Sequence, residues 1–175
     1  GPGDTIFLGM CRRPGATTVT SVTDSIGSTY TDLGVDKQMN NTSSSAWFGH
    51  VNEGSADPVT VTISFSGAGA DGLDVRAVEY ARVASIGPHA QNSSNSAYGI
   101  TVGVHLDSVP ALAVVSTCVA SATLAIGGFE EESRTSNGNV TGSQLFTTVQ
   151  DVSVEPTQSS KSDMIVDLVT LVGTQ

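Results

Sequence analysis

Apolar and polar positions alternate with period two over much of the chain. Between positions 59 and 66, Val59, Val61, Ile63 and Phe65 alternate with Thr60, Thr62, Ser64 and Ser66. Successive side chains of a strand point to opposite faces, so this pattern predicts a strand with one buried and one wet face. Ile100, Val102, Val104 and Leu106 repeat it, with Thr101, Gly103, His105 and Asp107 outward. Over 75–82 the alternation is mixed: Val75, Ala77, Glu79 and Ala81 share one face, and Arg76, Val78, Tyr80 and Arg82 share the other. Stretches 112–119 and 164–172 are apolar on both faces and read as central strands covered on two sides.

Further strands are predicted over 5–11, 17–23, 28–33, 45–51, 121–126 and 144–154, the last bulged or broken. Between them lie residues that tolerate turns: Asp24-Ser25-Ile26-Gly27, Asn52-Glu53-Gly54, the Gly/Ala/Asp run at 67–72, the Asn/Ser run at 92–95, and Asn137-Gly138-Asn139. No segment shows helical periodicity. About ten strands separated by short turns predict an all-β chain, an antiparallel β-sandwich of jelly-roll or Ig-like type. Residues 1–175 read as a single domain, and a chain of this length buries roughly 70% of its unfolded surface.

Composition reinforces this picture. Charged residues make up only 14% of the chain, and Ser, Thr, Gly and Asn take their place. That suits a pleated surface better than helical ones, which carry Lys, Glu and Arg. The net charge is −10, and Arg12-Arg13 is the only adjacent basic pair. Nucleic acids and anionic lipids are held by Lys/Arg clusters, so neither is an expected partner. The longest mostly apolar stretch, 109–126, is interrupted by Pro110, Ser116, Thr117, Ser121 and Thr123, so no membrane insertion is expected.

Candidate chemistry is sparse. A Ser-His-Asp catalyst needs a serine held against a histidine. His50, His89 and His105 fall at a strand end, in a loop and on an outward face, and no G-x-S-x-G elbow occurs. Glu79, on the face of Val75 and Ala77, is a candidate buried acid, and Glu130-Glu131-Glu132 reads as a solvated edge. Asp71 and Asp74 flank a loop and form a candidate Ca²⁺ ligand pair, although the ligand density of an EF-hand is missing. No other cofactor is expected. Trp47, Tyr30 and Tyr98 are candidates for stacking on a sugar. Cys11 and Cys118 each end an apolar run, and the alternatives are one disulfide or two buried thiols. Asn40, Asn41, Asn92 and Asn139 open glycosylation sequons.

The stretch Ser21-Val22-Thr23-Asp24-Ser25-Ile26-Gly27-Ser28-Thr29-Tyr30-Thr31 resembles an "SVTDSxGNTYT" hairpin of β-sandwich modules in bacterial surface proteins and phage structural proteins. The order of later segments is similar: Ala46-Trp47-Phe48, then the strands at 59–66 and 75–83, and an apolar closing strand at 164–172. The resemblance implies a non-enzymatic structural module on a virion or cell surface. Such a module would be a decoration, fibre or filament subunit, or an adhesin domain. Its partners would be copies of itself or other virion or surface proteins. The alternative is a carbohydrate-binding module with glycans as partners, using exposed aromatics or a Ca²⁺ loop. In the resembled modules a further strand precedes the segment similar to Gly3-Asp4-Thr5-Ile6-Phe7-Leu8. Here that strand is expected either to have been lost by fragmentation or processing or to be supplied by another copy or a neighbouring chain, and a missing strand would leave an open sheet edge.

Overall fold

A computed structural model describes residues 4–12, 18–33, 37–39, 42–50, 58–67, 72–119 and 124–173. These residues form strands and no helix. In chain order the strands are β1 (Thr5–Arg12), β2 (Val19–Asp24), β3 (Thr29–Asp32), β4 (Lys37–Met39), β5 (Thr42–His50), β6 (Val61–Phe65), β7 (Leu73–Tyr80) and β8 (Val83–Gly99). There follow β9 (Val102–His105), β10 (Ala111–Val119), β11 (Leu124–Ala125), β12 (Glu130–Arg134), β13 (Val140–Phe146), β14 (Asp151–Val154) and β15 (Thr157–Gly173). The fifteen strands exceed the ten expected because long predicted segments break and polar stretches also pair.

All pairings are antiparallel. One sheet runs β3-β5-β1-β7, with β4 also on β5; a second runs β11-β15-β10-β13-β12, with β8 also on β15. Two ribbons, β2-β6 and β9-β14, account for the remaining described strands. The core shows how these four units stack. Phe7, Phe48 and Tyr80 of the first sheet pack on Val114, Val169 and Leu171 of the second. On the first sheet's other face, Leu8, Met10 and Trp47 meet Val22, Val61 and Ile63 of the β2-β6 ribbon. On the second sheet's other face, Ala113, Val115, Val166 and Leu168 meet Val102, Val152 and Val154 of the β9-β14 ribbon. The fold is thus a β-sandwich with a two-stranded cover on each outer face. This explains why β10 and the second half of β15 are apolar on both faces, and why β6 and β9 alternate cleanly with water on one side.

Four expectations need correction. The stretch resembling a hairpin is not one: β2 pairs with β6 and β3 with β5, so the chain passes from a cover ribbon into the first sheet at Asp24–Gly27. The turn itself forms as predicted, with Gly27 at φ 75° and Asp24 Oδ1 accepting the Ile26 and Ser28 amides at 3.1 and 2.9 Å. β7 is turned the other way from the expected burial of Glu79: Arg76 and Tyr80 are buried, while Ala77 and Glu79 are exposed. The larger apolar volume of Val78 and Tyr80 decides the face, and Arg76 is carried in with them. The Asn/Ser run at 92–95 is mid-strand in β8, held by backbone pairing to the apolar β15 rather than by its own side chains. Finally, β1 is not an edge. It is paired along its whole length to β5 on one side and β7 on the other.

The predicted segment 144–154 breaks between β13 and β14, which belong to different layers. Residues 121–123 of the predicted strand 121–126, the turn at 52–54, and the sequons at Asn40 and Asn41 lie outside the described residues.

Candidate functional site: a polar clamp between the two main sheets

The interface between the two main sheets is apolar at one end and polar at the other. At the polar end, Cys11 of β1 and Cys118 of β10 form a disulfide, with Cα atoms 5.5 Å apart and a sequence separation of 107. The two cysteines face each other across the sandwich, so the bond ties together an inner strand of each sheet. Beside it lies Arg76 of β7, 1% exposed. Its Nη1 donates to Thr117 O at 2.8 Å and to Val140 O at 2.6 Å, and its Nη2 lies 2.9 Å from Cys11 Sγ. An arginine from the first sheet therefore satisfies two carbonyls of the second. Burial pulls its pKa down to about 10, against the opposing pull of Asp167 and Asp74, so it remains a cation at neutral pH.

The second sheet is prepared to receive it. Thr117 Oγ1 accepts the Val140 amide at 3.0 Å and donates back to Val140 O at 3.1 Å, extending the β10-β13 ladder through a side chain. Gly9, paired with Arg76 in register, is glycine for a steric reason: a Cβ there would fall 2.4 Å from Ser116 Oγ.

Asp74, two residues before Arg76, closes the outer end of the clamp. Its carboxylate accepts from Thr135 Oγ1 at 3.1 Å, Asn137 Nδ2 at 3.1 Å and Asn139 Nδ2 at 2.6 Å. The turn from β12 to β13, with Gly138 at φ 86°, is thereby fastened to β7. Asn139 Oδ1 in turn accepts the Val119 amide at 2.8 Å. The candidate Ca²⁺ ligand Asp74 thus spends its oxygens on neutral donors of one turn, and its proposed partner Asp71 lies outside the described residues. Among the described residues no three His, Cys, Asp or Glu side chains are grouped to hold a metal. The Asn139 sequon is closed by the same contacts: the residue is 3% exposed and both ends of its amide are engaged. Asn92 is exposed, its Nδ2 donating to Thr101 O at 2.8 Å.

A second buried carboxylate, Asp167 of β15, sits deeper in the same interface at 0% exposure. Its Oδ2 accepts the hydroxyl of Ser44 from β5, across the sandwich, and its Oδ1 accepts Nε2 of Gln91 from β8 at 2.5 Å.

The aromatic candidates are not brought together. Trp47 is 8% exposed, packed between the first sheet and its cover ribbon, while Phe48 faces the other way into the sandwich. Tyr30 lies over Gly49, where a Cβ would fall 2.2 Å from its ring. Its hydroxyl donates to Asp24 Oδ2 at 3.1 Å. Burial, and then the charge of Asp24, raises the Tyr30 pKa. Tyr98, on the distant β8, is 56% exposed with Lys161 Nζ 5.5 Å from its ring centroid. Of the histidines, His50 ends β5, His89 is exposed on β8, and His105 places Nδ1 2.7 Å from Asp151 Oδ1 across the β9-β14 ribbon. The glutamate run forms the edge strand β12. Glu131 holds Arg134 through two contacts at 2.8 and 2.6 Å, and Glu132 accepts Ser143 Oγ at 2.5 Å.

Sequence reasoning missed Arg76, Asp167, Ser44 and Gln91. For two of them a signal was present: Arg76 shares a face with Val78 and Tyr80, and Asp167 is the one charge within the apolar stretch 164–172. Comparison with protein-family models, with curated proteins and with solved structures returns no match to this chain.

Proposed function

We propose that the chain is a non-enzymatic structural module displayed on a virion or cell surface, a decoration, fibre or filament subunit or an adhesin domain. It would join copies of itself or other surface proteins through sheet edges and loops. The observation that carries this reading is the clamp. The side chains with the most chemical potential in the interface, Arg76, Asp74, Asp167 and the cysteine pair, are spent on holding strands and turns to one another. A disulfide also suits an oxidising, extracellular setting. Three further features fit exposure and assembly: the acidic surface, the outward Thr and Ser of β6, and the long edge strand β8, whose described pairing runs along β15 only. The carbohydrate-binding alternative is less well supported, because Trp47 is buried, Tyr30 is half-buried over Gly49 with its hydroxyl bonded to Asp24, and Tyr98 lies on another strand away from both.

Mass photometry across a concentration series, with negative-stain electron microscopy of the same samples, tests this reading. Ordered oligomers or polymers that grow with concentration are expected. A monodisperse monomer at every concentration, with no binding to particle or cell-surface fractions, would overturn it.

A further inference from the structure

Two polar side chains from two strands converge on a buried carboxylate of a third strand. Asp167 and Ser44 are both 0% exposed, and Gln91 is the register partner of Asp167 on β8. One oxygen of Asp167 holds the Ser44 hydroxyl proton, and the other holds the carboxamide nitrogen of Gln91. In chemical terms these are a hydroxyl nucleophile, an acyl carbon one bond from the held nitrogen, and a base touching both the proton to be removed and the group to be expelled. An alcohol and an amide do not exchange in water at a useful rate. Fixing them side by side on one buried carboxylate supplies the missing encounter.

We propose that Ser44 and Gln91 become joined by an intramolecular ester, with Asp167 carrying the proton. Ser44 Oγ adds to Gln91 Cδ as its proton passes to Asp167. The tetrahedral adduct then collapses, the Cδ–Nε2 bond breaks, and Asp167 returns the proton to the departing nitrogen. One carboxamide and one alcohol give one ester and one ammonia, with no change of oxidation state and no cofactor. Ammonia is protonated and diluted in bulk water, which draws the exchange forward. The link would tie β5 to β8, giving the sandwich a second covalent tie between its sheets beside Cys11–Cys118.

Mass spectrometry of the full chain decides the matter. After reduction of the disulfide, the intact mass is expected to fall below the sequence mass by one ammonia. Trypsin separates the two residues, since Lys37 and Arg76 bracket Ser44 while Arg82 and Arg134 bracket Gln91. The reduced digest should therefore contain those two peptides joined. This also separates the ester from cyclisation at Asn137-Gly138, which loses ammonia but leaves the peptides linear. Ser44→Ala and Gln91→Glu chains should show their full sequence masses and linear peptides. A wild-type chain at full mass, with Ser44 and Gln91 recovered in separate unmodified peptides, would overturn the proposal whether or not the variants fold.

Discussion

Replacing both Cys11 and Cys118 with alanine removes the tie between β1 and β10 and leaves every backbone pairing of the two sheets possible. The effect of this change can be worked from the chain itself. The bond closes a loop with a sequence separation of 107. The loop-entropy relation for that length gives roughly 16 cal/mol/K, or about 4.8 kcal/mol at 25 °C, lost from the stability of the folded state. Whole domains are stable by only about 5–15 kcal/mol, so the variant should be marginal. Equilibrium urea unfolding, followed through Trp47 emission under non-reducing conditions, measures the loss. The midpoint should fall sharply. The slope should rise as well, because a denatured chain without the loop exposes more surface. A variant within about 1 kcal/mol of the wild type would refute the reasoning, since such a loop constrains the denatured state far more than that.

Three further outcomes follow from the same structure. Arg76→Ala removes the buried donor to the Thr117 and Val140 carbonyls and leaves Asp167 without its nearby cation, so it should cost about 3–5 kcal/mol in the urea assay, whereas Arg76→Met, which refills the volume, should cost less. Trp47 should emit at short wavelength, resist acrylamide quenching and show no response to oligosaccharides, because it lies between two layers. Burial alone would raise the Asp24 pKa, but the hydrogen bonds from Ser28, Ile26 and Tyr30 together hold it below the ordinary value. The stability Asp24 contributes is therefore present above the unfolded carboxylate pKa of about 3.9 and is lost as pH falls through the lower folded value. Carboxyl NMR titration should place Asp24 below the ordinary aspartate value, and Tyr30→Phe should move it upward.

The strands with strict alternation, β6 and β9, were legible because one side of each faces water and the other the core. β10 and the second half of β15 were legible as central strands for the complementary reason. The cover ribbons were not legible as covers, since a half-buried strand looks the same in sequence whichever sheet it covers. β8 was missed because its pairing is made by backbone groups, which Ser and Asn side chains do not announce. The turn at Asp24–Gly27 was read correctly and its hairpin wrongly: local residues set a turn, but the partner of each flanking strand is set by contacts far along the chain. The clamp was hidden for a related reason. Arg76, Cys11, Thr117 and Val140 lie on four strands, and only the closed sandwich brings them within hydrogen-bonding distance.

The clamp makes the two main sheets one cooperative unit, as the proposed surface module would need. Native-state hydrogen exchange as a function of low denaturant tests it directly, because it resolves the opening free energy of each strand. The amides of β1, β10 and β15 should exchange only through global unfolding, with a common free energy and a common denaturant dependence. If β1 and β5 instead opened at a clearly lower free energy while β10 and β15 stayed protected, the sheets would be separable and the account would be contradicted.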